Sequence, residues 1–286
     1  MAKLLRWAGF GLGGIVILVL VAAAVVWLIS SQKLNARAVK RAEHLSAPTP
    51  VQLADAERMA RVLGCFSCHG AGLRGNKMFD EPNVGTIWAP NLTLVAAHAS
   101  DEQLARAIRQ GIGVDGRSLF IMPSETFQNL SDQEVAALIA MVRAQPRAGS
   151  ETAHNRYGPI GRLGVVMGKF KTAPELVADY STKEPARVGQ QYEAGRRIAT
   201  LYCASCHNAD LSGKEVEPGE TSPDLAIAGA YDAEAFKTLI RTGRPASGKK
   251  LPMMGPTAKS DLSHLTDQEI AQLHAYLVER AQGMTR

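Results

Sequence analysis

Every cysteine in this 286-residue chain belongs to one of two copies of a single pattern, Cys65-Phe66-Ser67-Cys68-His69 and Cys203-Ala204-Ser205-Cys206-His207. Cys-x-x-Cys-His is the attachment signature of c-type haem, in which two thiols add across the vinyl groups and the adjoining histidine reaches the iron. One match alone is also compatible with a redox dithiol or part of a zinc site. Two matches, each with its histidine, and no second Cys/His cluster to complete a tetrahedral zinc site favour two covalently attached haem c groups. On this reading Cys65, Cys68, Cys203 and Cys206 carry the haems, and His69 and His207 are the proximal iron ligands.

A two-fold internal repeat is the second strong signal. Ala107-Ile108-Arg109-Gln110-Gly111 recurs as Leu239-Ile240-Arg241-Thr242-Gly243, and Leu130-Ser131-Asp132-Gln133-Glu134 as Leu265-Thr266-Asp267-Gln268-Glu269. Ala89-Pro90-Asn91-Leu92 matches Ser222-Pro223-Asp224-Leu225, at offsets that drift only between 132 and 138 residues. Each copy reads as mostly helical. A first helix over 51–63 or 189–202 leads into the cysteine motif, and a middle helix covers 102–110 or 232–241. A last helix opens at Ser131 or Thr266, each three residues before a glutamate, the capping-box spacing. The expected segments are a tail and anchor over 1–32, a connector over 33–50, domains over 51–145 and 189–286, and an interdomain segment over 146–188 that packs along the domains.

A haem iron held by one histidine takes its sixth ligand from the far side, and a thioether there favours ferrous iron and closes the coordination sphere. Met122, before Pro123 and ahead of the last helix, stands where such a ligand belongs. In the second copy Met253 and Met254 compete. The Gly-x-x-Leu-x-x-Met register shared by Gly116/Met122 and Gly248/Met254 selects Met254, although Gly255-Pro256 leaves room for a slip to Met253. The carbonyls at Pro90 and Pro223 are candidates to accept the Nδ1 proton of His69 and His207, the alternative being simple turn prolines. His44, His98, His154, His264 and His274 occupy no repeated position and read as solvated or packed side chains. Met78, Met141 and Met167 read as filler.

From Trp7 to Ser30 there is no charged residue. As a helix that stretch is roughly 36 Å long, enough to cross a bilayer core of about 30 Å. Ala22-Ala23-Ala24 resembles a signal-peptidase site, but Val25-Val26-Trp27-Leu28-Ile29 continue the apolar run past it, so an uncleaved anchor is expected over a cleaved signal. Lys33, Arg37, Lys40 and Arg41 outnumber Lys3 and Arg6, which by the positive-inside rule would place the body in the cytoplasm. Covalent haem is attached on the outer side of the bacterial inner membrane, and that requirement places the body in the periplasm instead. The net charge is +5, or +3 beyond residue 32, with no basic stripe carrying interleaved aromatics. Nothing here points to nucleic acid.

The motifs, their order and the repeat resemble class I cytochromes c in tandem. More narrowly the chain is similar to the cytochrome c subunits of membrane-bound bacterial dehydrogenases of the alcohol and gluconate type. The likeness is carried by Gly64-Cys65-Phe66-Ser67-Cys68-His69-Gly70, Pro82-Asn83-Val84-Gly85-Thr86, Ala89-Pro90-Asn91-Leu92-Thr93, Asp115-Gly116-Arg117 and Met122-Pro123-Ser124-Glu125-Thr126-Phe127. The expected fold is mostly α, an N-terminal transmembrane helix followed by two tandem class I cytochrome c domains, and the resemblance implies histidine and methionine as axial ligands. It also implies electron transfer from a flavin or quinoprotein subunit to quinone or another cytochrome. That family typically has three haems, a cleaved signal and a C-terminal membrane contact, where this chain has two motifs and an N-terminal apolar helix. The small-aromatic contact usual between first and last helices falls at Gly195 and Tyr276 in the second copy, but at Glu57 and Met141 in the first.

The leading expectation is an electron carrier or electron-transfer subunit whose redox partner is a dehydrogenase subunit, a quinol-oxidising complex or an oxidase. A dihaem subunit of a terminal oxidase is the alternative within that class. A dihaem enzyme, a peroxidase or thiosulfate dehydrogenase, is the reading from another class. The first needs an iron that can open a coordination position, and the second uses a cysteine ligand that this chain lacks.

Overall fold

The computed structural model describes residues 2–217 and 219–284. Met1, Thr285 and Arg286, at the ends of the first and last expected segments, lie outside the described residues, as does the side chain of Lys3. The uncharged N-terminal stretch lies within one helix, α1 (Ala2–Leu34). Its part Gly9–Leu34 is long and apolar enough to cross a membrane, and an 18-residue apolar window within it is left uncovered by the rest of the protein. The connector after α1 is strapped down. Gln110 exchanges two hydrogen bonds with the Arg41 backbone, at 2.9 and 3.0 Å, and Arg109 Nη1 pairs with Glu43 Oε2 at 2.9 Å.

The first haem-motif domain runs α2 (Pro50–Val62), α3 (Cys65–His69), a hairpin of β1 (Asn76–Glu81) and β2 (Gly85–Ala89), α4 (Leu92–His98), α5 (Asp101–Gln110), α6 (Ser124–Phe127) and α7 (Asp132–Ala144). Local chemistry sets these helix starts. Thr49 caps α2 through Gln52, with Pro50 at the first position, and Ser100 caps α5 through Gln103. Ser131 and Glu134 form the reciprocal bonds expected at α7, satisfying amides that the first turn leaves without partners. Packing of α2 against α7 closes the core, around Ala56, Ala60, Leu138 and Met141.

The interdomain segment supplies β3 (Arg156–Tyr157), α8 (Pro159–Val166) and α9 (Ala173–Tyr180). Strand β3 pairs antiparallel with β2, completing a three-stranded sheet β1-β2-β3. Helix α8 lies against the end of α1, where Arg162 Nη1 donates to Ser30 Oγ at 2.9 Å and Ser31 Oγ at 3.0 Å. Helix α9 packs on α6.

The second domain repeats the order as α10 (Glu193–Tyr202), α11 (Ala204–His207), a hairpin of β4 (Lys214–Glu217) and β5 (Glu220–Ser222), α12 (Ala233–Thr242), α13 (Met254–Ser260) and α14 (Asp267–Met284). The first helix expected from residue 189 begins as a 3-10 turn over Gln190–Tyr192 and becomes α-helical only at Glu193. Thr266 and Glu269 exchange backbone bonds at 2.7 and 3.1 Å, which starts α14. Helices α10 and α14 meet at Gly195, where a Cβ would lie 2.1 Å from Gln272 O and 2.6 Å from Tyr276 Cβ. Tyr276 is fully buried and donates to Ala186 O at 2.9 Å. At the matching position of the first domain, Glu57 is exposed and pairs with Arg61, so Ala56 and Ala60 are the small buried residues of α2.

The domains interlock. Val62, the last residue of α2, is buried in the second domain's core, and Leu201 of α10 is buried in the first domain's core. Arg58 of α2 holds Glu269 at 2.8 and 3.1 Å, and Arg197 of α10 holds Glu134 at 2.5 Å. Both glutamates are the capping residues of the other domain's last helix. Between these pairs α6 has all four residues buried, and its Glu125 carries an Oε2 without a hydrogen-bond partner among the described residues. Across the interface, Asp261 Oδ1 is buried without a partner, and its Oδ2 would lie 3.3 Å from a Cβ placed on Gly64, just before the first haem motif. Burial raises both carboxyls, opposed at Glu125 by its own backbone amide and Lys214, and at Asp261 by Ser67, Ser260 and His264.

Two outcomes follow from this packing. Gly195→Ala should cost about 1–3 kcal/mol in urea unfolding, whereas Glu57→Ala, at the same repeat position, should stay within about 0.5 kcal/mol. A carboxyl raised in the folded state binds its proton more tightly there than in the unfolded chain. Its contribution is therefore fully present at low pH and declines as pH rises through the folded-state value. The melting temperatures of Glu125→Gln and Asp261→Asn should gain on the parent as pH rises from about 4 to about 7. A variant that loses ground to the parent as pH rises would contradict that.

Candidate functional site

Both cysteine motifs form a single helical turn at the end of their domain's first helix, with the cysteines and histidine at relative positions i, i+3 and i+4, the spacing that shares one helix face. Gly64 enters the first turn with φ +76°, and a Cβ there would crowd Ser67 Oγ and Asp261 Oδ2, both at 3.3 Å. His69 and His207 are 7% and 9% exposed. Nδ1 of His69 lies 2.8 Å from Pro90 O, and Nδ1 of His207 lies 2.9 Å from Pro223 O. Burial lowers the proton affinity of both rings below the ordinary histidine value. The rings are neutral at neutral pH, Nδ1–H donates to the proline carbonyl, and the lone pair is left on Nε2.

The residues that hold these carbonyls differ between copies. Asn91, 2% exposed, donates to Ala148 O and Ser150 O at 2.9 and 3.2 Å and accepts from the Thr93 amide. In its place Asp224 accepts from Arg280 Nη1 at 2.6 Å and from the Ala226 amide at 2.7 Å. Burial pushes the Asp224 carboxyl up, but the Arg280 and Ala226 bonds outweigh it and hold the group below the usual carboxylate range. Its negative charge in turn raises the basicity of His207, an influence with no counterpart among those acting on His69.

Burial pushes the Cys65 and Cys203 thiols up to about 12, with the neighbouring Cys68 or Cys206 adding to it. Such thiols are poor redox nucleophiles, because the thiolate is the reactive form. Among the described residues no group of three His, Cys, Asp or Glu side chains is arranged to hold a metal ion. A buried, neutral imidazole with Nε2 available, on the same turn as two free thiols, fits a covalently held haem.

Met122 packs against the first core and Met254 against the second, while Met253 is 39% exposed. The two loops are not alike. Ile121, just before Met122, has φ +67°, a conformation that a β-branched residue rarely adopts, whereas Met254 opens helix α13. Leu73 and Leu211 also have positive φ, at 58° and 65°, and both are fully buried. They stand at the same offset as the cysteine motifs, the signal by which the repeat could have revealed them. Gly75 and Gly213 share that offset, and their amides bond His69 O and His207 O at 2.8 and 2.9 Å. Among the unrepeated histidines, His274 packs as expected, stacked on Phe236 with Nε2 3.0 Å from Tyr231 O. Met167 is not filler. It is 64% exposed.

Residues 192–281 match the family model for cytochrome c, and residues 53–142 match that for the cbb3-type cytochrome c oxidase subunit III. Over 252 residues, 77% of this chain, the sequence is 22% identical to a fructose dehydrogenase cytochrome subunit of Gluconobacter japonicus. The chain spans about half the length of that relative (50%). These matches coincide with the two domains that present a Cys-x-x-Cys-His turn and a carbonyl-bound histidine. The chain is a tandem cytochrome c of two domains carrying two covalently bound haem c groups, and it resembles the cytochrome subunits of dehydrogenases.

Proposed function

We propose that this chain is a membrane-anchored periplasmic dihaem cytochrome c of the bacterial inner membrane. It passes single electrons from a dehydrogenase or quinol-side donor to a downstream acceptor and performs no substrate chemistry of its own. Bound haem supplies a one-electron Fe(III)/Fe(II) couple at each site. The protein's part is to hold and tune. Cys65 and Cys68, and Cys203 and Cys206, would form the thioethers, His69 and His207 would offer Nε2 to the iron, and Met122 and Met254 would offer their sulfur. The carbonyls of Pro90 and Pro223 hold Nδ1–H, which fixes each ring and increases its basicity.

The single observation that carries this reading is the repeated bond from a buried, neutral histidine to a proline carbonyl, which prepares Nε2 for iron in both domains. The packing of Met254 against the second core, with Met253 turned outward, supports the repeat register. The relative's description as a dehydrogenase cytochrome subunit favours a dehydrogenase donor. The oxidase-subunit match over residues 53–142 supports a second reading, a dihaem subunit of a terminal oxidase.

Ligand substitution tests the assignment. Met254→His should lower one midpoint potential by a sizeable part of the roughly 0.8 V range that axial ligation spans. Met253→Ala should leave both potentials and the far-red sulfur-to-iron band in place. If Met253→Ala removes the band and Met254→His leaves both potentials unchanged, the second loop is slipped by one residue and the assignment is wrong.

A further inference from the structure

Helix α8 carries an apolar face that neither domain covers. Ile160 is 56% exposed, Leu163 44% and Met167, just past the helix, 64%. Their spacing, i, i+3 and i+7, puts all three on one side. The opposite side is buried: Val165 is 2% exposed, and Gly161 lies so close to the β1–β2 turn that a Cβ would collide with Val84 O. Phe170, 46% exposed, folds back beside Gly164 and extends the same surface. In water such a face is unfavourable, and its position indicates what covers it.

Helix α1 fixes the level. Trp7 and Trp27, both exposed, are about 20 residues and hence about 30 Å apart along the helix. That separation matches the hydrocarbon thickness of a bilayer, and tryptophan concentrates at the two membrane–water boundaries. The outer boundary therefore falls near Trp27. Helix α8 is tied to α1 at that height. The Arg162 guanidinium sits 5.5 Å over the Trp27 ring and bonds Ser30 and Ser31, and Lys33 Nζ reaches Val165 O at 3.3 Å. Lys169 follows in the turn after α8, a basic side chain of the kind that meets headgroup phosphates, while Lys171 is held by Asp179.

We propose that α8 and the turn after it form a membrane-surface contact, with Ile160, Leu163, Met167 and Phe170 inserted at the headgroup–acyl boundary of a phospholipid bilayer. This rests on the reading of α1 as an anchor. Two contacts, one spanning and one interfacial, hold the haem domains in one orientation on the bilayer instead of letting them swing about a single helix. The path runs from α8 through β3 to the hairpin that follows the first haem motif.

The test is thiol accessibility in the full haem-loaded chain, embedded in nanodiscs of phosphatidylcholine and phosphatidylglycerol. Single variants Leu163→Cys, Met167→Cys, Ile17→Cys within α1 and Ile227→Cys on the second domain are reacted with a water-soluble maleimide. Each rate is normalised to that of the same variant unfolded in dodecyl sulfate. Ile227 is 53% and Ile17 62% exposed in the protein itself, so only lipid can separate them. The expected result is that Ile17→Cys is protected and that both Leu163→Cys and Met167→Cys react several-fold more slowly than Ile227→Cys. Protection at Ile17→Cys alone, with 163 and 167 reacting like 227, would overturn the surface contact and leave the anchor intact. Free reaction at Ile17→Cys would remove the anchor and this inference with it.

Discussion

The structure depends on each haem-attaching turn being backed by the other domain. A Cys-x-x-Cys-His turn is only one turn of helix, too short to be stable by itself. In the first copy it follows α2, whose last residue is buried in the second domain, and in the second copy it follows α10, whose Leu201 is buried in the first. The reciprocal pairs Arg58–Glu269 and Arg197–Glu134 fix the register of this exchange. Both are partly exposed and contribute modestly to stability. Their effect is on geometry, since each ties a first helix to the start of the other domain's last helix.

The repeat is a frame on which the two sites differ. The neutral Asn91 that follows Pro90 is replaced by the Asp224–Arg280 pair after Pro223, so a carboxylate acts on His207 and none of the influences on His69 is a carboxylate. The methionine-bearing loops also differ, with a strained Ile121 in one and a helix start in the other. Two unlike sites in one body suit a carrier that takes electrons at one end and releases them at the other.

What could be read from the sequence was what local spacing encodes. The cysteine motifs, the internal repeat, the caps at Ser131 and Thr266 and the apolar α1 all rest on residues within a few positions of each other. The hairpins β1–β2 and β4–β5 gave no comparable signal, because Asn76–Glu81 and Lys214–Glu217 are polar and short and lack an alternating apolar face. The exposed Glu57 could not reveal that Ala56 and Ala60 make the first domain's crossing. Glu125 and Asp261 were invisible as buried carboxyls because their surroundings come from distant parts of the chain, α9 and Lys214 beside the helix of Glu125, Gly64 and Ser67 beside Asp261. Met167 looked like core until α8 was seen to face outward beside α1. In each case the missing information was long-range.

On the proposed ligation, this one interlocked chain holds two one-electron centres whose irons have no open coordination position. Coulometric reduction of the full haem-loaded protein, followed in the visible spectrum under carbon monoxide, measures both parts together. The expected result is two electrons per chain, taken in single-electron steps, with both reduced centres low-spin and unaffected by carbon monoxide. One electron per chain, or a reduced centre that binds carbon monoxide, would contradict the account.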